Sequence, residues 1–384
     1  MNDFKAFVFI CLLPIAGCSY NTAYHSAFVL IRQNHILEFP LTQESRNFTT
    51  NLQYIDSTSH GFPILVVQGN EQIEIYNTKD KCRINFIPLQ KEGANAIPGI
   101  DGFSLMNEDT LLVFSPSLKT LTLLNTDGRF LKHIHYECDS EKAMRQVTYG
   151  FWRPLILHNR VRIAQSLFNL ETHGILTSDL QKKSNLYLDI DLTTNCCEQA
   201  VLKYPEEFIG QDISGTKYYY TIGYNGSLVY CFGIDDSLHI SDDLLGFRKV
   251  PIQANYKFRF VSNYWKFFVS DYNTRLEYLI RCDEPSGLVY DRYRNCYYLV
   301  FRQRYDQKSS IFDYRIAFQY PKCLIIILDE EFNHLGELYL PDNTYSFQMM
   351  FVAPEGLYIS EDHPNNPDFD EDFMRFRLFK LEKL

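Results

Sequence analysis

Short apolar runs separated by turn-forming residues recur along most of the chain, and sustained helical periodicity does not. The clearest stretch is Leu111–Tyr136. LLVFS reads as one strand, TLTLLN as a second and FLKHIHY as a third, with Thr126-Asp127-Gly128 turning the last pair. Asp-Gly between apolar runs is a strong hairpin signal, because both residues tolerate the left-handed backbone of tight turns. The same phrase returns at Gln72–Leu89, Leu186–Lys203, Ser227–Ile252 and Leu324–Leu340. A further short strand precedes most copies, at Ile64–Gln68, Gly102–Leu105, Tyr218–Ile222 and Gly287–Asp291.

Four short antiparallel strands repeated about every 40–50 residues is the pattern of a β-propeller. The sequence therefore predicts an all-β fold with six four-stranded blades, near 60–90, 100–137, 150–204, 215–253, 286–341 and 346–384. The last unit, Phe347–Ser360 plus Phe373–Leu381, has three strands, and His35–Leu41 offers the fourth. Pairing that N-terminal strand into the last blade closes the ring and removes an open edge that would otherwise invite aggregation. Blade three is stretched, and Ala254–Cys282 is a long aromatic insertion. The 27 Tyr and 30 Phe agree with strands rather than helices. A large β-sandwich, or two β domains, is the alternative.

The N-terminus changes the picture of compartment. Lys5 precedes an apolar run, Ala6–Ala16, which is far shorter than the roughly 20 residues of a membrane span but suits a signal peptide. The run ends in Ile15-Ala16-Gly17-Cys18, which resembles the bacterial lipobox, although Asp3 and Ile15 depart from its commonest form. The resemblance implies cleavage before Cys18 and acylation of its thiol. Several acyl chains anchor a protein stably where one does not. The expected organisation is a signal peptide at 1–17, a tether at 18–33 and one propeller domain at 34–384. Ser19 resembles residues that permit export to the outer membrane. Tyr20–Ser26 lacks an acidic run, so display on the cell surface has less support than the periplasmic face.

A net charge of −10 argues against nucleic acid as a partner, since phosphate binding needs a basic surface. Beyond Cys11 and Cys18 there are Cys82, Cys138, Cys196, Cys197, Cys231, Cys282, Cys296 and Cys323, with no CxxC among them. Zinc-finger spacing is absent, and disulfide connectivity is open. The lipobox, the phrase DRYRNCYY at 291–298, the hairpin IIILDEEFNHLGELYLP and the terminal GLYISEDHPNNPDFDED are similar to an uncharacterised family of Gram-negative lipoproteins with predicted six-bladed propellers. The resemblance implies fold and compartment and no activity.

Candidate chemistry is sparse. Asp368, Asp370 and Asp372 begin a calcium-loop spacing, but Phe373 stands where that loop needs glycine, so Ca²⁺ is a candidate ion and a solvated acidic loop the plainer reading. His363 and Asn365 lie in a proline-stiffened loop before them. Trp152, Arg153, His158 and Arg160 open blade three, and Trp265 sits in the long insertion; aromatic and Arg side chains are the types that anchor ligands. His133 and His135 share one strand face and read as a surface pair. No nucleophile elbow, HExxH or P-loop occurs, and no catalytic set is assigned. The expected function is thus a tethered, non-catalytic binding or scaffold propeller, acting as a monomer on a glycan, peptide or envelope protein. The alternatives are a calcium-assisted hydrolase or lyase with its site in the channel, and a structural subunit of an envelope complex.

Overall fold

In the computed structural model every blade begins with a strand at the ring interior. The structure describes residues 24, 26–49, 51–56, 61–97, 99–115, 118–137, 145–147, 154–157, 159–166, 178–199, 201–211, 218–260, 278–305 and 322–384. Strand β1 (Phe28–Pro40) belongs to the last blade. Blade one is β2 (Leu52–Ile55), β3 (Ile64–Gln68), β4 (Gln72–Asn77) and β5 (Cys82–Pro88). Blade two is β6 (Gly102–Asn107), β7 (Thr110–Ser115), β8 (Thr120–Asn125) and β9 (Phe130–His135). In blade three two short segments, β10 (Arg145–Val147) and β11 (Leu155–Leu157), share the inner edge of β12 (Arg160–Ser166), followed by helix α1 (Ser178–Lys183), β13 (Tyr187–Asp191) and β14 (Cys197–Gln199). Blade four is β15 (Tyr218–Ile222), β16 (Leu228–Phe232), β17 (Ser237–Ser241) and β18 (Arg248–Pro251). Blade five is β19 (Glu284–Asp291), β20 (Cys296–Arg302), β21 (Cys323–Asp329) and β22 (His334–Leu340). Blade six is β23 (Ser346–Ala353), β24 (Gly356–Ser360) and β25 (Phe373–Lys383), completed by β1.

All pairings within the blades are antiparallel, so the first-to-second and third-to-fourth turns of every blade emerge on one face of the ring. Inner strands meet their neighbours' inner strands, β2 against β23 and β15 against β19. The apolar core is accordingly divided among the blade interfaces. Leu65, Val67 and Tyr76 of blade one, for example, pack with Phe351, Tyr358 and Leu378 of blade six. Each such fully buried side chain contributes about 1.5–3 kcal/mol of transfer free energy.

Ring closure follows the expected plan with a longer strand. Strand β1 starts at Phe28, inside the stretch expected to be tether, and its first residues also lie along blade five, where the Ala27 amide donates to the Leu335 carbonyl at 2.9 Å. A side chain at Gly336 would place its Cβ 2.2 Å from the Phe28 carbonyl oxygen, and one at Gly356 would lie 2.3 Å from that of Phe379. Only glycine permits these approaches. The β1–β25 register slips between Arg32 and Ile36, so that Gln33, Asn34 and His35 oppose the single residue Leu378. Arg377 repairs the interruption. Its Nη1 donates to the carbonyls of Gln33 (3.3 Å) and Asn34 (3.1 Å), while Nε and Nη2 hold both oxygens of buried Glu361 at 2.8 and 2.7 Å. Arg32 of β1 adds a 3.1 Å bond to the same carboxylate. The N- and C-terminal strands are thus joined by a hydrogen-bond ladder and one buried ionic knot.

Described parts of the long insertion after blade four are pinned by Asp283, which is fully buried and accepts from the Tyr256 hydroxyl and the Arg259 amide, both at 2.7 Å. Cys82, Cys196, Cys231, Cys282, Cys296 and Cys323 are free thiols, and Cys197 is disulfide-bonded. Among the described residues no helix is long and apolar enough to cross a membrane.

Candidate functional site

The ring's seam opens into a groove of about 790 Å³ between blades six and one. Its floor is built by strand pairing. Phe351 on β23 lies opposite Tyr358 on β24, and Tyr358 opposite Leu378 on β25, so all three project to the same side of blade six. Tyr54 of β2 approaches from blade one. The rings form a ladder: Tyr54 stacks on Phe351 (centroids 5.2 Å, 18°), and Phe351 on Tyr358 (5.0 Å, 15°). His35, displaced outward by the bulge in β1, meets Tyr358 edge-on at 6.3 Å.

Polar side chains ring this floor. Gln33 and Asn34 come from the bulge, Thr78, Lys79 and Lys81 from the β4–β5 turn, Glu355 from the β23–β24 turn and Lys380 from β25. The turn is tight enough to put Lys81 at φ 56°, and its ammonium reaches the Ile36 carbonyl at 3.3 Å. Burial, with the Glu355 carboxylate second, pushes the Tyr358 phenol up to about 12; the same two causes also raise Tyr54. Both hydroxyls therefore stay protonated and available as donors at neutral pH.

Beside the groove, blade five reaches past blade six. Arg292, in the β19–β20 turn, bonds Asp56 at 2.6 Å just beyond β2, and the Tyr293 hydroxyl donates to the other Asp56 oxygen. Blades one and five both flank blade six, so this latch bridges past the inner edge of the blade between them, where Arg294 of the same turn bonds the Ala353 and Pro354 carbonyls. Burial pulls the Asp56 carboxyl up, but the bonds from Tyr293 and Arg292 outweigh it and hold the group below the ordinary range.

A second, larger pocket of about 960 Å³ lies at blades three and four, lined by residues including Tyr204, Glu207, His239, Leu245, Phe247 and Lys249. Here Lys249, Glu207, Asp235 and His239 satisfy one another, while Lys182 and Lys203 on the same wall have no carboxylate within 4 Å among the described residues. Lys249 bonds Asp235 at 2.8 Å and Glu207 at 3.5 Å, and His239 Nε2 lies 3.1 Å from Asp235. Among the described residues, Glu207, Asp235 and His239 are the one set of three His, Cys, Asp or Glu groups whose ligand atoms come within 4.8 Å of one another. The lysine ammonium already occupies the place of a cation between the two carboxylates.

The residues singled out by sequence fall elsewhere. Arg160 is exposed and pairs with Glu198 at 3.3 Å on the outside of blade three. His363 is buried, and its Nδ1 accepts the Asn365 amide at 3.0 Å, while the Asn365 side chain bonds Asn343 at 3.3 Å. These two residues shape the β24–β25 loop. Asp368, Asp370 and Asp372 are exposed, and Asp370 accepts the Asp372 amide at 3.0 Å in a turn; their oxygens do not gather. His133 and His135 each bond a cross-strand threonine, Thr122 at 3.0 Å and Thr120 at 2.9 Å. Cys18, Trp152, Arg153, His158 and Trp265 lie outside the described residues. Sequence reasoning missed Tyr54, Tyr358 and the three lysines. The available signal was ring closure itself, which places His35–Leu41 beside the last strand and so marks a seam.

Six antiparallel blades in a ring, closed by the N-terminal strand, make this protein a six-bladed β-propeller with an open groove at its seam. The chain belongs to the family described as Domain of unknown function (DUF4221), whose model matches residues 28–339. A crystal structure of a member of that family from Bacteroides vulgatus is similar with a TM-score of 0.81 at 21% identity, covering 94% of this chain and 99% of the other. A putative exported protein from Bacteroides fragilis is similar with a TM-score of 0.53 at 11% identity, covering 93% and 96%. Both likenesses concern the fold. No curated protein matches the chain.

Proposed function

We propose that this protein is an envelope lipoprotein, anchored in the outer membrane through acylated Cys18, whose propeller binds a glycan in the groove between blades six and one without transforming it. The aromatic ladder Tyr54–Phe351–Tyr358 is the observation that carries this reading. Phe351 and Tyr358 are buried and back the partly exposed Tyr54, so the phenol ring at the open end of the stack is held rigid where it can meet the apolar C–H face of a sugar ring. The surrounding Gln33, Asn34 and Thr78 suit its hydroxyls.

The competing calcium-assisted hydrolase or lyase would need several oxygen ligands converging near the axis. Asp56, a carboxylate at the inner strand of blade one, is already neutralised by Arg292. A glycan array probed with the mature protein, run beside a pull-down from envelope membranes, tests the reading. Saturable array signals weakened about tenfold by Tyr54→Ala support it. A partner protein recovered with no glycan signal would sink it.

A further inference from the structure

We propose that the ligand of the seam groove is an anionic saccharide, held by packing on Tyr54 at the open end of the aromatic ladder and by Lys79, Lys81 and Lys380 at its carboxylate or sulfate groups. This deepens the glycan reading above and rests on it. Two observations carry it. The first is a local reversal of charge. The chain has a net charge of −10, yet the groove is lined by three lysines and His35 against one carboxylate, Glu355. The nearby acids are engaged elsewhere: Asp56 with Arg292 and Tyr293, and Asp80 with the Asn77 side chain at 2.8 Å. The second is that the three lysines have no acidic partner. Like most of the described lysines, Lys79, Lys81 and Lys380 have no carboxylate within 4 Å among the described residues; what sets them apart is that they line one groove together with a single acid, Glu355.

Unpaired ammonium groups converging on a concave surface focus anions, because the low-dielectric walls concentrate the field. They stand at the rim while the rings lie at the floor. A ligand with a neutral sugar face below and acidic groups at its edges fits both. Glu355 alone on the inner side keeps the positive potential directed toward the outer rim, where β1, β25 and the β4–β5 turn meet.

Calorimetric titration of the mature protein with trigalacturonic acid, its fully methyl-esterified form and a sulfated chondroitin disaccharide tests the proposal. The acid should bind about tenfold tighter than its ester at low salt, the sum of three weak exposed charge pairs. The gap should close to about twofold near 0.5 M NaCl, where screening is short-ranged. The triple variant Lys79→Gln, Lys81→Gln, Lys380→Gln should lose the same preference while ester affinity stays constant, and the corresponding triple arginine variant should keep it. The arginine variant and an unchanged melting temperature separate loss of charge from misfolding. Tighter binding of the sulfated disaccharide than of trigalacturonic acid would assign sulfate as the preferred group. Equal affinity for acid and ester overturns the charge inference and leaves glycan binding standing. Binding of none of the three overturns both.

Discussion

The two pockets of the ring differ in what their charges do. The one at blades three and four is larger, about 960 against 790 Å³, and flanked by exposed Val201 and Leu245. Yet Glu207, Lys249, Asp235 and His239 close on one another there, and the His239 ring is enclosed by Phe208, Phe232 and Phe247 at 5.3, 5.1 and 5.8 Å. The seam groove keeps its cations unpaired and its rings in a ladder. The seam groove is proposed as the site on the bonding capacity its fold leaves unspent rather than on volume. The seam has such capacity because the bulge in β1 pushes Gln33–His35 out of the ladder.

The largest expected effect tests that dependence. Glu361→Gln would leave the Arg377 guanidinium buried without its bidentate partner, costing about 3–5 kcal/mol in chemical denaturation, and would free the bulge carbonyls' anchor. Ligand binding at the seam should fall with it. A loss below about 1 kcal/mol would show that the knot does not hold the seam.

The two regions should also respond to pH with opposite sign. Burial pushes the Asp362 carboxyl, next to the knot, up to about 7, with bonds from Arg375 acting the other way. The folded chain thus keeps a proton that the unfolded chain, at about 4, has released. This contribution is full below about 4 and is lost as pH rises toward 7, on the order of a few kcal/mol. Asp235 behaves in reverse. Burial raises it, but bonds from His239 and Lys249 outweigh that and hold it low, so its contribution is present above about 4 and lost as pH falls further. Urea denaturation across pH 3–8 should show the first slope flattened by Asp362→Asn and untouched by Lys249→Met.

Smaller effects separate binding from packing. Tyr54→Ala should weaken glycan binding about tenfold, whereas Leu245→Ala should leave it unchanged; equal losses from both would erase the distinction between the pockets. Lys249→Met should cost about 1 kcal/mol or less, since the lysine is 45% exposed, and should not alter glycan affinity.

The blade pattern was legible because turn chemistry and alternating apolar runs are local. Thr126-Asp127-Gly128 turns β8 into β9 as expected, and Gly128 takes φ +84°. Closure by the N-terminal strand was legible from a missing fourth strand. Strand β2 was not: four residues, LQYI, are too few to show a period, and they carry Tyr54. The start of β1 at Phe28 was missed because its partners lie more than three hundred positions away. The site was illegible for the same reason. Tyr54, Lys79, Phe351 and Lys380 are brought together only when the ring closes, and no spacing along the chain records it. The tryptophans and the acidic loop drew attention by composition, which says nothing of where a seam falls.

Hydrogen–deuterium exchange with and without saturating trigalacturonic acid separates the two pockets. Binding at the seam slows exchange at 33–37, 54–56, 78–82 and 353–358, and leaves 203–209 and 244–249 unchanged. Protection confined to the pocket at blades three and four, with the seam unchanged, would contradict it.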